Sequence, residues 1–153
     1  MSFEQSLKNG SYGEHAVWNV LIKRPNVKTI LDVRDDKNFQ SMDIDFLMQT
    51  TDLQVVPIEV KTDYQAQETG NIVYELTTSG NIGCFEKTQA WYVAYFVPKK
   101  QEVHMIYVKR LRDFIKNHNL NVIRMGDYAT GYLLPIEELK KNGVIVKTYE
   151  DVV

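Results

Sequence analysis

Two acidic residues and a lysine lie at a spacing that suits metal-dependent hydrolysis. Asp45 precedes a turn centred near Asp52, and Glu59 and Lys61 follow that turn. If the two flanking segments are the strands of a hairpin, position 45 lies opposite position 59, and all three side chains project from one face. Two carboxylates at ~4 to 6 Å repel each other strongly unless a cation lies between them.

A hard divalent metal ion is the cation that such a pair favours. Mg²⁺ prefers oxygen ligands and typically takes one or two carboxylates while it keeps several waters. Lys61 would then orient a metal-bound water or stabilise the charge that develops on a scissile phosphate. Glu14 completes the site if the first helix packs across the hairpin. Each residue alone is also typical of a solvated surface, and it is their combination in phase that favours phosphodiester hydrolysis.

The same residues resemble the active-site pattern of the PD-(D/E)XK nuclease superfamily, which includes restriction enzymes, Holliday-junction resolvases and phage exonucleases. Asp45, thirteen intervening residues, Glu59-Val60-Lys61 and a preceding helical Glu14 carry the resemblance, which covers roughly residues 10–97. It implies a restriction-endonuclease-like core, Mg²⁺ or Mn²⁺ as cofactor, and water attacking the phosphorus of DNA. It also implies that Asp45, Glu59 and Glu14 are metal ligands and that Lys61 is the catalytic lysine.

The sequence departs from the family pattern at residue 44, where Ile44 replaces the proline that gives the family its name. Asp43 has the same strand parity as Asp45, and a register shift of two residues would exchange them. We favour Asp45 because apolar residues flank it on both sides. The segments 62–63 and 70–75 also resemble phage and bacterial members, although a strand residue such as Glu75 is equally typical of a solvent-facing position. The secondary site candidates are Asp43, Asp63, Asn71 and Glu75.

Charge is divided unevenly along the chain, although 18 basic and 20 acidic residues give a total of only −2. Residues 32–75 sum to −7 and hold the proposed metal ligands, whereas residues 99–116 sum to +4. The total therefore excludes a protein that binds nucleic acid by bulk charge alone. The basic segment is a candidate phosphate-binding surface, and a merely solvated face is an equally good interpretation. Its candidate nucleic-acid contacts are Lys99, Lys100, Lys109, Arg110 and Arg112.

The elements that must position these residues indicate an α/β or α+β fold with a central mixed sheet flanked by helices. A capping pattern at Ser2 predicts a first helix that ends near Pro25, with an apolar stripe that Glu14 interrupts. The hairpin follows, after a polar loop over 35–40. The apolar run 90–97 predicts a strand buried on both faces. A helix over 111–118 and short strands near 122–125, 131–134 and 144–146, with a short helix between the last two, complete the pattern.

Length and composition favour one domain over residues 1–153, with a nuclease-like core over about 2–108 and an α/β extension over about 109–153. The single cysteine excludes an internal disulfide framework, and the histidines show no zinc-ligand spacing. No apolar run is long enough to span a bilayer, and the N-terminus lacks a secretory signal. We therefore expect no membrane partner and a cytoplasmic setting in a bacterium or a phage-infected host cell.

Three hypotheses follow from the sequence. The first is a metal-dependent nuclease that hydrolyses DNA, with branched or replicating DNA as candidate substrates. The second is a catalytically inactive nuclease-fold protein that binds nucleic acid or a protein partner. The third is an unrelated interaction protein whose acids are surface charges. The sequence leaves open DNA or RNA as substrate and endonucleolytic or exonucleolytic cleavage. A homodimer with two sites is expected if both strands of a duplex are cut.

Overall fold

Two β-sheets that share a core organise the chain in a computed structural model, which describes residues 3–150 and 152. One sheet has six strands in the order β1-β2-β3-β6-β7-β10, and the other has four strands in the order β5-β4-β9-β8. The strands are β1 (Val27–Asp32), β2 (Phe46–Thr50), β3 (Val55–Thr62), β4 (Asn71–Thr78), β5 (Asn81–Ile82), β6 (Tyr92–Val97), β7 (Glu102–Tyr107), β8 (Ile123–Met125), β9 (Ala129–Pro135) and β10 (Ile145–Tyr149).

The six-stranded sheet is mixed, as the sequence predicted. Its central strands β3 and β6 run parallel, and its other neighbouring pairs are antiparallel. Residues 93–97 of β6 are buried, which confirms the prediction that the apolar run 90–97 contains a strand covered on both faces. This sheet is the framework on which the candidate site is built, because β2 and β3 form the predicted hairpin.

The second sheet was not predicted. Its central pair, β4 and β9, are antiparallel strands separated by about 50 residues, and β9 also pairs with β8. The sequence indicated these strands singly, but strand periodicity does not say which distant strand pairs with which. Ile72, Tyr74 and Leu134 from this sheet join Val93 and Tyr95 of β6 in one hydrophobic cluster. The sheet therefore covers one face of the six-stranded sheet.

Helices occupy the remaining positions, and the first of them covers the opposite face of the six-stranded sheet. Val17 and Leu21 of this helix pack in a cluster with Ile58 and Phe96. The segment 35–40, predicted as a loop, instead contains a one-turn helix whose first backbone N–H groups are capped by the Asp36 carboxylate. The helices are α1 (Phe3–Ile22), α2 (Lys37–Ser41), α3 (Ala66–Thr69), α4 (Cys84–Lys87), α5 (Val108–Asn117) and α6 (Ile136–Lys141).

Two sequence predictions concern the ends of helices. Helix α1 ends at Ile22, before Pro25 as predicted, but its predicted cap at Ser2 lies outside the described residues.

Over residues 3–150 and 152, none of the helices has both the length and the apolar composition that a membrane crossing requires. The C-terminal part of the chain adds β10 to the edge of the six-stranded sheet and β8 and β9 to the second sheet.

His104 on β7 makes the stability of the fold depend on pH. Its ring is fully buried, its Nδ1 lies 2.9 Å from Oγ1 of Thr148, and burial lowers its pKa to about 4, with Lys140 and Lys100 adding to the effect. A histidine whose folded pKa is lower than its unfolded pKa of 6.5 contributes stability above pH 6.5 that is lost as pH falls toward 4.

We therefore expect the His104→Asn variant to lose less stability than the wild type between pH 6.5 and pH 4. The difference should be at most about 3 kcal/mol, because one unit of pKa shift corresponds to about 1.4 kcal/mol. Urea denaturation at a series of pH values measures it. The slope with pH is compared rather than the absolute stability, since the substitution also changes packing. Parallel pH curves for the two proteins would refute the assignment.

Candidate active site

The hairpin of β2 and β3 places Asp45 beside Glu59. Phe46 pairs with Ile58, so position 45 is opposite position 59, as the sequence predicted. The backbone N–H of Asp45 donates to the carbonyl of Ile58 at 2.9 Å, and the Asp45 Oδ2 accepts from the backbone N–H of Val60 at 2.8 Å. These bonds fix the Asp45 carboxylate at the start of β2, on the face that carries Glu59.

The two carboxyl groups interact directly, and burial disfavours a charge on both. Burial raises the pKa of Glu59 to about 9, and the negative charges of Asp45 and Asp43 add to the rise. Burial also raises the pKa of Asp45 to about 6, although the hydrogen bond from Val60 opposes the shift. The hydrogen bond between the two groups adds to the rise in the pKa of Glu59 and opposes the rise in that of Asp45. At neutral pH the pair therefore carries about one negative charge.

Cys84 lies next to this pair, and the charge of Lys61 acts on the Cys84 thiol. The Lys61 Nζ lies 5.5 Å from the centre of the Phe85 ring, on the same face of β3 as Glu59. The Cys84 Sγ donates to Oε1 of Glu59 at 3.8 Å, and burial, with the Glu59 charge, raises the pKa of the thiol to about 12. Cys84 was not predicted as a site residue, because a lone cysteine 25 residues from Glu59 carries no motif.

Glu14 reaches the edge of the site, but its carboxylate forms an ion pair with Arg34. The Arg34 Nη1 lies 2.5 Å from Oε2 of Glu14, and Nη2 lies 2.7 Å from Oδ2 of Asp32. The Glu14 charge raises the pKa of Asp45 and the Arg34 charge lowers it, so both groups act on the pair. Arg34 was also missed in the sequence, since nothing in its neighbourhood shows that α1 covers it. A cavity of about 350 Å³ opens beside Glu14 and Arg34, lined also by His15 and Trp18.

Gly13 allows α1 to lie close against β3. A Cβ atom built on Gly13 would lie 1.7 Å from Oγ1 of Thr62 and 3.1 Å from its Cβ. Real Cβ atoms are not found at the first of these distances. The absence of a side chain at residue 13 is therefore what brings the next residue, Glu14, to the end of β3.

We expect Gly13→Ala to destabilise the protein by about 1 to 3 kcal/mol, because overpacking forces the helix away from β3. Helix propensity alone would instead stabilise the alanine variant by about 1 kcal/mol. The sign of the change in the free energy of unfolding therefore separates the two effects. The double variant Gly13→Ala/Thr62→Ala removes the closest contact and should recover much of the loss. Urea denaturation of the four proteins of this cycle measures the coupling. Additive effects would contradict the close approach.

Asp43, the alternative to Asp45, lies outside strand β2. Its backbone has a positive φ of 51°, its carboxylate lies 3.5 Å from Nζ of Lys87, and its carbonyl accepts from the Thr88 hydroxyl at 2.8 Å. The left-handed backbone breaks the strand parity that the sequence pattern assumed for this residue. Asp43 still adds negative charge near Glu59.

The other secondary candidates have separate partners. Asp63 accepts hydrogen bonds from the Tyr95 hydroxyl and from the backbone N–H groups of Gln65 and Ala66, so it fixes the turn into α3. Asn71 begins β4 in the second sheet. Glu75, on the same strand, accepts from the Thr78 hydroxyl at 2.9 Å. None of these three side chains hydrogen-bonds to the Asp45–Glu59 pair in the residues that the structure describes.

The predicted basic contacts divide into fixed and free side chains. Arg112 donates to the backbone carbonyls of Phe85 at 2.9 Å and Thr88 at 2.7 Å, and Arg110 donates to the carbonyl of Gly143 at 3.0 Å. Their guanidinium groups therefore hold loops in place. Lys99, Lys100 and Lys109 are exposed, and Lys99 lies 4.0 Å from Glu68.

Comparison with known proteins identifies one solved structure with a similar fold. A bacterial homing endonuclease, I-Ssp6803I, superposes on 80% of this chain and 86% of its own, with a TM-score of 0.50 and 12% sequence identity. The two chains share a fold. No protein-family model matches the sequence, and no curated protein matches it either. The observed architecture, a central mixed sheet flanked by helices, agrees with the sequence prediction and is shared with that endonuclease.

The carboxylate oxygens of Asp45 and Glu59 fit a hard cation that needs few protein ligands. Within residues 3–150 and 152, no three side chains of the His, Cys, Asp or Glu type are grouped to hold a metal ion, and Glu14 is paired with Arg34. Asp45 and Glu59 supply two oxygen-donating carboxylates, which is the number that Mg²⁺ takes when water fills its other positions. Burial raises the pKa of both interacting carboxyl groups, and a divalent cation can take the place of a proton that they retain.

Proposed function

We propose that the protein is a metal-dependent nuclease that hydrolyses phosphodiester bonds in DNA. The observation that carries the proposal is the contact between the Asp45 and Glu59 carboxyl groups, with Lys61 on the same face. The fold that it shares with a homing endonuclease supports the same conclusion. A pair of buried acids that binds no ligand lowers the stability of a fold. Buried acids with strongly shifted pKa values are concentrated at functional sites.

Asp45 and Glu59 are the residues that would hold Mg²⁺ or Mn²⁺. When bound, the metal supplies a water of lowered pKa and withdraws charge from the phosphate. Glu14 is the third acidic group at this edge, and it becomes available when Arg34 turns to Asp32 alone, since Arg34 contacts both acids. The guanidinium of Arg34 then remains near the site as a contact for a phosphate oxygen.

The residues of the chain have distinct roles in this reaction. The Lys61 ammonium, on the Phe85 ring, stabilises the negative charge that grows on the phosphate oxygens in the transition state. The backbone N–H of Val60 holds the Asp45 carboxylate in its ionised form and in a fixed orientation. The Cys84 thiol donates to Glu59 and limits the positions that its carboxyl group can adopt.

Cleavage assays test the proposal directly. Supercoiled plasmid, linear duplex, branched DNA and single-stranded RNA are incubated with the protein in Mg²⁺, in Mn²⁺ and in EDTA. We expect metal-dependent cleavage of DNA, and a loss of at least 100-fold in Asp45→Asn. Asp52→Asn, in the exposed turn of the same hairpin, is the matched control and should cut like the wild type.

A protein of nuclease fold that binds without cleaving is the second candidate. The observation that favours it is the ion pair of Glu14 with Arg34, which occupies the helix-borne acid. This candidate predicts that nucleic acid is bound but not cut in either metal. Equal cleavage by the wild type and Asp45→Asn would instead show that the cleavage comes from a contaminating nuclease. It would remove the support for both functions at this site.

A further inference from the structure

A second concave surface, separate from the acid pair, lies between the start of β6 and the helix α5. Its volume is about 440 Å³. We call it the Trp91 groove. Its aromatic and charged lining residues are Trp91, Tyr107, Lys109, Arg112, Asp113 and Lys116.

The charged side chains of the Trp91 groove come from one face of α5. Residues 109, 112, 113 and 116 are spaced by three, one and three positions, which places them along one side of a helix. Lys109 and Lys116 are exposed, and neither forms an ion pair within the part of the chain that the structure describes. Arg112 is fixed by backbone carbonyls, and Asp113 is the one acid of this face. The lysines are therefore free to bind anions.

Aromatic rings form the other part of the Trp91 groove. The Trp91 side chain is 48% exposed, which is unusual for the largest apolar residue. Tyr107 is stacked on Tyr92 with ring centres 5.2 Å apart, so its ring is held in position. An exposed indole beside free ammonium groups is the combination that stacks a nucleobase while it neutralises the neighbouring phosphates.

The groove is connected to the acid pair by the segment 84–91. On one side of this segment, the Cys84 thiol contacts Glu59, and the Thr88 hydroxyl donates to the Asp43 carbonyl. On the other side, Arg112 of the groove binds the carbonyl of Thr88. The segment is thus a wall with the acid pair on one side and the groove on the other. The groove and the acid pair are therefore neighbours across this one segment.

We propose that the Trp91 groove binds an unpaired strand of DNA, with one base stacked on Trp91 and the adjacent phosphates bound by Lys109 and Lys116. The proposal rests on the proposed function, since it names the part of the substrate that this surface holds. A base within a duplex has both faces covered by its neighbours, whereas an unpaired base exposes a face to stack. The groove therefore selects DNA with single-stranded character over a continuous duplex.

The intrinsic fluorescence of Trp91 provides a direct test. The chain has two tryptophans, and Trp18 packs edge-on against Phe46, so Trp18→Phe leaves Trp91 as the single reporter. The probes, all in EDTA, are the oligonucleotide (dT)12, a duplex of 12 base pairs, and a heparin fragment that has charge but no bases. We expect (dT)12 to quench the fluorescence at lower concentration than the duplex does, and the heparin fragment to leave it unchanged.

Anisotropy of fluorescein-labelled (dT)12 measures the affinity without the Trp18 substitution. We expect Trp91→Ala to weaken binding at least fivefold, since stacking contributes about 1 to 3 kcal/mol per base. Lys109→Gln with Lys116→Gln should lower the slope of log affinity against log salt by about 1.4, which corresponds to two phosphate contacts on a single strand. Lys28→Gln, on the edge strand β1, is the control and should change neither quantity.

The proposal is overturned if Trp91→Ala binds (dT)12 within twofold of the wild type, or if the heparin fragment quenches Trp91 as strongly as (dT)12. Failure of the proposed cleavage gives a different result. A protein that binds (dT)12 through Trp91 but cuts no nucleic acid retains the groove and loses the nuclease activity. A protein that cuts DNA with Trp91→Ala unaffected in binding retains the nuclease activity and loses the groove.

Discussion

Replacement of Glu59 by glutamine is expected to stabilise the metal-free protein and to abolish its metal-dependent activity. Burial raises the pKa of Glu59 from 4.5 to about 9. When the pKa of an acid is higher in the folded state than in the unfolded state, the free energy of unfolding decreases as the pH rises from the unfolded pKa to the folded pKa. Between pH 4.5 and pH 9 the unfolded chain ionises Glu59, whereas the folded chain must keep it protonated. Glutamine removes this penalty and retains a donor for Asp45.

We expect Glu59→Gln to be more stable than the wild type at pH 8 by about 1 to 3 kcal/mol, because the wild type must take up a proton at Glu59 when it folds and the variant does not. The advantage should shrink as the pH is lowered toward 4.5. Urea denaturation in EDTA at a series of pH values measures it. Glu68→Gln, on an exposed side chain that faces Lys99, is the control and should lie within about 0.5 kcal/mol of the wild type.

Metal binding should reverse the order of stability. Mg²⁺ binds the ionised form of Glu59, whose pKa is raised to about 9, so we expect the affinity of the wild type for Mg²⁺ to increase with pH up to about pH 9. Saturating Mg²⁺ should raise the melting temperature of the wild type and leave that of Glu59→Gln unchanged. A variant that is less stable than the wild type at every pH, and that Mg²⁺ stabilises equally, would show that Glu59 has only a packing role.

The part of the site that lies within one hairpin was predictable from the sequence. Asp45 and Glu59 are 14 residues apart on strands joined by a tight turn, and the period of two along each strand then determines which side chains meet. The same local rule placed Lys61 on their face. It failed for Asp43, because a residue with a positive φ no longer obeys the alternation of a strand.

The groups that modify the site come from distant segments and were not predictable in the same way. Arg34 meets Glu14 only because α1 packs across the end of β1, and Cys84 meets Glu59 only because α4 covers that face of the sheet. Periodicity shows that an element has a buried face, but it does not show which element covers that face. The pairing of β4 with β9, which creates the second sheet, was missed for the same reason.

The charge pattern shows a similar limit. The helix predicted over 111–118 is present as α5 (Val108–Asn117), but the sequence did not distinguish arginines that hold backbone carbonyls from lysines that face solvent. Because an arginine presents five donors, it is well suited to bridge several carbonyls, and in this protein Arg112 does so. The free charges of α5 are therefore those of Lys109 and Lys116, which face the exposed Trp91.

Replacement of Lys61 by methionine is expected to lower the rate of cleavage by about 10² to 10³, the range found when one group that stabilises transition-state charge is removed. Methionine keeps the apolar stem that packs near Phe85, so the fold should be retained. Because Lys61 is assigned no role in holding the metal, the stabilisation of the protein by Mg²⁺ should be unchanged. Single-turnover cleavage and thermal denaturation in Mg²⁺ separate these two effects.

The matched control for Lys61 is Lys87→Met, which removes a neighbouring ammonium group that lies 3.5 Å from Asp43. We expect this control to reduce cleavage by less than fivefold, because the Lys87 side chain is 51% exposed and its charge is screened by solvent. Equal losses in the two variants would mean that cleavage depends on the total positive charge near the acid pair. A large loss in Lys61→Met alone, with Mg²⁺ binding intact, identifies the ammonium group of Lys61 as the one that acts on the reacting phosphate.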